Sequence, residues 1–280
     1  MNATTAIDPR HAAESAFDGT PLRHPDRRVL RYRPLRAVHH FRELLKDKED
    51  TSHVFRIYES LPPRSFMGRV RTLALSEQGE QLRDTEQALP EILDDHAALR
   101  KMPKGSVAHA YCDFMEREGL SAAGLVAESH KLGRKRYDDL VQWYSDRSRD
   151  THDLQHVLTG YGRDALGEQC VLLFNQGQAP SLANLLIGYA GALHIRKIVS
   201  RSDAPVLKAV RQAHRIGKGA DKLMHQSIRD LLATDLEQAR RMLNIPEPTL
   251  YRECHEVWRA EGIDPYNLIA PGEGAAAEPA

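Results

Sequence analysis

Asp150-Thr151-His152-Asp153-Leu154-Gln155-His156-Val157-Leu158-Thr159-Gly160-Tyr161-Gly162-Arg163-Asp164-Ala165-Leu166-Gly167-Glu168 reads as a helix, a stop and a second helix. Leu154, Val157 and Leu158 recur at helical spacing, not at the alternation of a strand. Gly160-Tyr161-Gly162 is a strong stop, because glycine takes the left-handed backbone that ends helices without a Cβ penalty. Asp164 then offers a side-chain oxygen to the free N–H groups of a new first turn. An antiparallel helical hairpin with its apex near Gly162 is the expectation.

Helical periodicity continues outward from this hairpin. Leu35, Val38, Phe41, Leu44 and Leu45 mark a helix over Pro34 to Lys46. Asp50-Thr51 caps a short helix carrying Val54, Ile57 and Leu61, which Pro62-Pro63 ends. Further helices are predicted over about 89–99, 106–118, 134–159, 164–177, 181–199, 203–217, 225–232, 236–243 and 248–260. Strand-like alternation is missing, so the fold class is all-α: a single-domain multi-helix bundle over residues 29–270. Residues 1–28 are polar and aperiodic and read as a loose N-terminal arm. Residues 271–280, all Pro, Gly, Ala and Glu, read as a disordered tail.

The 280 residues suffice for one sizeable core, with 41% hydrophobic and 28% charged side chains. Basic and acidic residues balance at 39 each, so no global field favours a nucleic-acid partner. Cys112, Cys170 and Cys254 lie in no ligand spacing and read as buried small hydrophobes in a reducing compartment. No apolar run reaches the roughly 18–20 residues of a membrane-spanning helix. The longest, Val171 to Ile195, is interrupted by Asn175, Gln176, Gln178, Pro180, Ser181 and Asn184. The N-terminus lacks an apolar signal segment, and Asp8, Glu14 and Asp18 are foreign to a transit peptide. A soluble or peripheral protein is expected.

His152 and His156, four apart, stand one above the other on a helix and can reach a single cation. On a wheel of 100° per residue started at His152, Leu140, Trp143, Leu154, Val157 and Leu158 fall at roughly 140–240°. The histidines lie opposite that apolar stripe, facing either solvent or a second, polar cleft. His156 precedes Gly162 by six residues and Glu168 follows it by six, so the hairpin sets them opposite each other. Asp153, about 100° around from His152, can bind directly or orient a ligand from behind. The expected metal set is His152, Asp153, His156 and Glu168. Two imidazoles with one or two carboxylates suit Zn²⁺ first, with Fe²⁺, Co²⁺ and Mn²⁺ as alternatives, because Mg²⁺ and Ca²⁺ prefer oxygen shells. The competing reading is a polar surface whose spacing is accidental.

The pattern H-D-x-x-H-x11-E, from His152 to Glu168, resembles the signature of the coenzyme Q biosynthesis protein four family. Arg147 and Arg149 before it, and Val157-Leu158-Thr159-Gly160 and Leu166-Gly167-Glu168 after, match the family's surroundings. So do Pro103-Lys104-Gly105-Ser106-Val107 with Tyr111 and Phe114, and Arg33-Pro34-Leu35 with Asp47-Lys48-Glu49-Asp50-Thr51 and Val54-Phe55. The similarity spans about residues 30–245. Gln155 departs from the apolar or aromatic residue often found there, and residues 246–270 extend past the match.

The resemblance implies a metal-dependent step of ubiquinone biosynthesis, removal of the C1 carboxylate from a polyprenylated hydroxybenzoate with or without hydroxylation there. It makes Arg147 and Arg149 candidates for contact with the substrate carboxylate. Arg147 falls within the apolar stripe, so a buried ion pair is its leading alternative role. Implied partners are the polyprenylated aromatic precursor, a membrane surface and other ubiquinone biosynthesis enzymes; a homodimer stays open. The implied location is cytoplasmic and peripheral, on the inner face of the membrane, or the mitochondrial matrix face in a eukaryote.

A polyprenyl tail needs an apolar groove, for which Leu182, Leu185, Leu186, Tyr189, Leu193 and Ile195, with Gly188 and Gly191, are candidates; an ordinary core helix is the competing reading. Lys208, Arg211, Arg215 and Lys218 form one basic helix face suited to an anionic bilayer, or a merely solvated one. Two other functions compete. One is a lipid-presenting scaffold for partner enzymes, with a structural metal. The other is a metallohydrolase, against which Asp153 is a methylene shorter than the general-base glutamate of H-E-x-x-H enzymes.

Overall fold

The structure, a computed structural model, describes residue 16 and residues 19–46, 52–131 and 133–268. All regular structure among these is helical, as the sequence predicts. The N-terminal half contains α1 Pro34–Lys46, α2 Ser52–Ser60, α3 Phe66–Ala74, α4 Glu77–Thr85, α5 Leu89–Asp94, α6 His96–Leu99, α7 Val107–Glu118 and α8 Ala122–His130. The central hairpin is α9 Leu140–Asp150, α10 His152–Thr159 and α11 Ala165–Gln178. Then follow α12 Leu182–Ile198, α13 Val206–Gly219, α14 Ile228–Ala233, α15 Leu236–Met242 and α16 Thr249–Ala260, with 3-10 turns at Leu223–His225 and Pro265–Asn267.

Local chemistry explains most boundaries. Asp164 accepts from the N–H groups of Leu166 (3.1 Å) and Gly167 (3.2 Å), starting α11 as expected. Gly160, at φ 73°, ends α10 in the left-handed conformation. The helix expected over 89–99 divides at Asp95, whose side chain takes Ala98 N–H (2.9 Å) and opens α6. Three helices have no counterpart in the sequence expectations. Two bury too little to show a period, α4 only Gly79 and Leu82 and α8 only Ala122; the third, α3, buries Val70, Leu73 and Ala74. Asp50 and Thr51, expected as a cap, lie outside the described residues.

The helix expected over 134–159 is corrected to two. Residues 134–137 are irregular, and Asp139 caps a fresh start at Leu140 through Gln142 N–H (2.7 Å). Thr151 then interrupts the ladder, its hydroxyl donating to Arg147 O (2.9 Å), a back-bond that bends helices. The bend breaks the single helical wheel. Every residue of α10 except His152 is buried, including the two histidine-flanking polar residues Asp153 and Gln155.

Of the expected loose arm, residues 1–15, 17 and 18 lie outside the described residues, as does the tail 271–280. Residues 19–28 are seated against the domain. Leu22 is fully buried with Val70, Leu73 and Leu140. The carbonyls of Pro21 and Leu22 accept from Leu140 N–H (3.0 Å) and Val141 N–H (3.2 Å), two free donors of α9's first turn. Arg27 pairs with Asp139 at 2.6 Å.

The hairpin lies between two cores. Leu154, Val157 and Leu158 of α10 pack with Val107, Tyr111, Phe114 and Met115 of α7. Leu166, Cys170, Val171 and Leu173 of α11 pack with Val210, Ala213 and Trp258. Helices α11 and α13 touch backbone to backbone: a Cβ on Gly217 would stand 2.0 Å from Phe174 O, and one on Gly177 2.3 Å from Lys218 N. The three cysteines are free and buried, as expected. No described helix is long and apolar enough to cross a membrane.

The expected apolar groove on α12 is divided. Ile195 is fully buried, whereas Leu182 and Leu193 are exposed, 50% and 56%. A Cβ on Gly188 would meet the Leu173 side chain at 1.6 Å, and one on Gly191 the Gln169 amide at 2.4 Å. These glycines let α12 approach α11 and line no groove.

Candidate metal centre

The turn through Gly160 and Gly162 folds α11 back beside α10, bringing the two halves of the motif together. Donor atoms of His152, His156 and Glu168 all lie within 4.8 Å of one another. Glu168 Oε2 is 3.7 Å from His156 Nε2 and 3.9 Å from His152 Nε2. Ligands sharing one tetrahedral cation at about 2.1 Å stand roughly 3.4 Å apart, so small side-chain rotations close the set. The His156 side chain is fully buried, while those of His152 and Glu168, 31% and 33% exposed, stand nearer the surface. His152 thus reaches solvent, whereas His156 is enclosed by the protein.

His156 is oriented before any cation arrives. Its Nδ1 lies 3.1 Å from Tyr161 O and 3.2 Å from Gly162 O. Carbonyls only accept, so Nδ1 carries the hydrogen and Nε2 presents its lone pair. That Nε2 is buried and has no hydrogen-bond partner among the described residues. A buried acceptor without a partner is costly, and a cation held with Glu168 would satisfy it. Phe114 of α7 stacks on the same ring at 5.4 Å and 22°. Burial lowers the pKa of both imidazoles, and Asp153 opposes that shift in each. Burial raises the Glu168 pKa, opposed by the His152 and Arg163 charges. Two imidazoles and one carboxyl group are donor types that suit a divalent transition metal better than Mg²⁺ or Ca²⁺.

The other expected site residues go elsewhere. Asp153 is outside the converging trio; it is buried, and its charge acts on both imidazoles and on the Tyr111 hydroxyl. Arg147 is buried in an ion pair with Glu86 and donates to the carbonyls of Met224 and Gln226. Arg149 is taken up by Asp150 (2.7 Å), Asp146 (3.0 Å) and Ser129 (3.1 Å). Instead Arg163, from the turn itself, has its Nε 3.6 Å from Glu168 Oε1. Its only signal in the sequence is its place between the stop and the cap. Tyr111 and Phe114 carried no assigned role in the sequence, because nothing local shows that α7 crosses the hairpin.

Ligand-type residues meet a second time at His96, Cys112 and Glu116. There the carboxylate is already shared between His96 (3.0 Å) and Arg100 (2.8 Å), and burial raises the Cys112 thiol pKa. That group is closed on itself as an ion-pair network.

The family model described as coenzyme Q (ubiquinone) biosynthesis protein Coq4 matches residues 64–249. The chain belongs to this family. It is 25% identical over 201 residues to the mitochondrial ubiquinone biosynthesis protein coq4 of Aspergillus clavatus, covering 70% of this chain and 66% of that protein. It is 24% identical over 180 residues to the mitochondrial ubiquinone biosynthesis protein COQ4 homolog 1 of Culex quinquefasciatus, covering 63% and 61%. The chain thus spans slightly under two thirds of these relatives' lengths. A crystal structure from Nostoc punctiforme, provisionally assigned to ubiquinone biosynthesis, shares the fold at TM-score 0.56 and 18% identity, over 78% of this chain and all of that one. The Coq4 match contains the whole trio and ends at the first residue of α16; it begins after the N-terminal segments, from Arg33 to Phe55, whose likeness the sequence had suggested.

Proposed function

We propose that this Coq4 family member performs a metal-dependent step of ubiquinone biosynthesis, the removal of the C1 carboxylate from a polyprenylated hydroxybenzoate. The observation that carries the reading is the buried, partnerless Nε2 of His156 facing the Glu168 carboxylate at 3.7 Å. A divalent cation held by His152, His156 and Glu168, with Zn²⁺ or Fe²⁺ best suited to the donors, would polarise the ring carboxylate or neighbouring phenol oxygen as a Lewis acid. Around it, Arg163 beside Glu168 supplies the positive charge that attracts a carboxylate, in place of Arg147 and Arg149. Phe114 stacks on the His156 ring and covers one of its faces. Loss of CO₂ leaves the bond's electron pair at C1, where a proton replaces it; the oxidative form needs dioxygen as co-reactant.

The test is a deletion strain complemented with wild type or Glu168→Gln. The expected result is that Glu168→Gln accumulates a prenylated ring still bearing its carboxylate. A folded, metal-free Glu168→Gln protein that restores normal ubiquinone would defeat the reading and leave the scaffold role.

The membrane is the proposed source of the lipid substrate. Lys208, Arg211, Arg215 and Lys218 are exposed along α13, and none has an acidic partner among the described residues. Lys208, Arg211 and Arg215 also line an open pocket of about 380 Å³ with His214, Tyr189 and Leu250. Leu182, Leu193 and Ile198 are exposed on neighbouring α12. Basic side chains at an anionic surface contribute about 1 kcal/mol each, so Lys208→Glu/Arg211→Glu/Arg215→Glu should bind phosphatidylserine vesicles at least about 100-fold more weakly. Equal partitioning of wild type and triple variant in a flotation assay would rule out this face.

A further inference from the structure

The ring of His156 rests on the turn between α10 and α11, and that turn is held from α16. His156 Nδ1 lies 3.1 Å from Tyr161 O and 3.2 Å from Gly162 O, and the N–H that shares the Tyr161 carbonyl's peptide unit, that of Gly162, donates to Tyr251 Oη at 2.9 Å. A peptide is planar, so fixing its N–H also fixes the direction of its carbonyl. Tyr251 in turn donates to Asp164 Oδ2. Asp164 Oδ1 accepts from Leu166 N–H and Gly167 N–H, and His255 Nε2 stands 3.3 Å from it without forming a hydrogen bond. Tyr251 is 6% exposed and Asp164 1%, so water does not compete for these bonds. The Tyr251 ring is flanked by Tyr161, edge-on at 5.2 Å, and by His255 at 4.4 Å.

We propose that Tyr251, backed by Asp164 and His255, is a positioning residue for His156, setting its ring orientation and tautomer through the 161–162 peptide plane. Neither Tyr251 nor His255 falls within the residues matched to the Coq4 family, so this support is contributed by the segment beyond them. The consequence for metal affinity rests on the metal reading above; the consequence for the tautomer does not.

The test is titration of Co²⁺ into the metal-free full chain and Tyr251→Phe, which removes the hydroxyl and keeps the ring. Loss of an outer partner of a metal-binding histidine typically weakens binding 10–100-fold, so Tyr251→Phe should raise the Co²⁺ dissociation constant at least about 10-fold and change its visible band. An unchanged constant and band overturn the proposal even if the melting temperature falls, because that result is merely structural. If wild type takes up no Co²⁺, the metal reading fails separately, and the imidazole ¹⁵N spectrum of metal-free His156 decides. Wild type is then expected as the Nδ1–H tautomer and Tyr251→Phe as a mixture; the same tautomer in both overturns positioning. Should Tyr251→Phe not fold, Asp164→Asn, which keeps the capping Oδ1 and replaces the carboxylate oxygen that accepts from Tyr251, is measured in its place against the same outcomes.

Discussion

His156→Ala is expected to bind the proposed divalent metal at least about 100-fold more weakly, and the proposed ubiquinone output should fall with it. The magnitude follows from position: outer-sphere substitutions alone cost about 10–100-fold, and His156 supplies one of only three converging donors. Metal analysis of purified protein and quinone profiling of a complemented deletion strain measure the two losses. Alanine also removes a buried ring stacked on Phe114, a large-to-small change that costs about 2–4 kcal/mol by itself. Glu168→Gln separates the effects, because its side chain is one-third exposed and nearly isosteric. Burial already disfavours the Glu168 carboxylate, so the neutral amide should leave metal-free stability unchanged or higher while metal is lost. A Glu168→Gln protein that retains stoichiometric metal would remove the basis for the centre.

Glu86→Ala is expected to lower stability by about 3–5 kcal/mol while the metal stays bound. Substitution leaves the Arg147 guanidinium in the interior with only two carbonyls for company. Glu86 also accepts from Arg229 N–H (3.1 Å), so its loss frees a donor at the first turn of α14. For a chain of this size 1 kcal/mol corresponds to about 2–4 °C, giving a fall of roughly 6–20 °C in the melting temperature. Replacing both partners with Glu86→Leu and Arg147→Met should recover much of the loss, since an apolar pair leaves no charge uncompensated. If Arg147→Ala instead melts like wild type and only weakens substrate binding, Arg147 belongs to the reaction and not to the scaffold. The buried pair is the reason we assign it to the scaffold.

The elements legible in the sequence are those whose information is local. The start of α11 was readable because Asp164 caps it two and three residues on, and the end of α10 because Gly160 must adopt a positive φ. His152, His156 and Glu168 were legible together because a two-helix turn fixes their relation within seventeen residues. Weakly periodic α4 and α8 were not, since helices that bury one or two residues carry almost no pattern. The bend at Thr151 was missed because a hydroxyl back-bond competes with the helical ladder without altering residue spacing.

What the sequence by itself determined is the all-α class, the central hairpin and the three residues that meet across it. Tertiary structure alone decided the rest of the site. Phe114 reaches His156 from α7, Tyr251 reaches the turn from α16, and Glu86 claims Arg147 from sixty-one residues away. Asp153 illustrates the limit: its neighbour in sequence joins the trio, yet the local path of α10 turns its own carboxylate out of it. The physical reason is range. Capping, helical period and hairpin reversal act over a few residues, whereas the fate of a charge or ring depends on which distant helix packs over it.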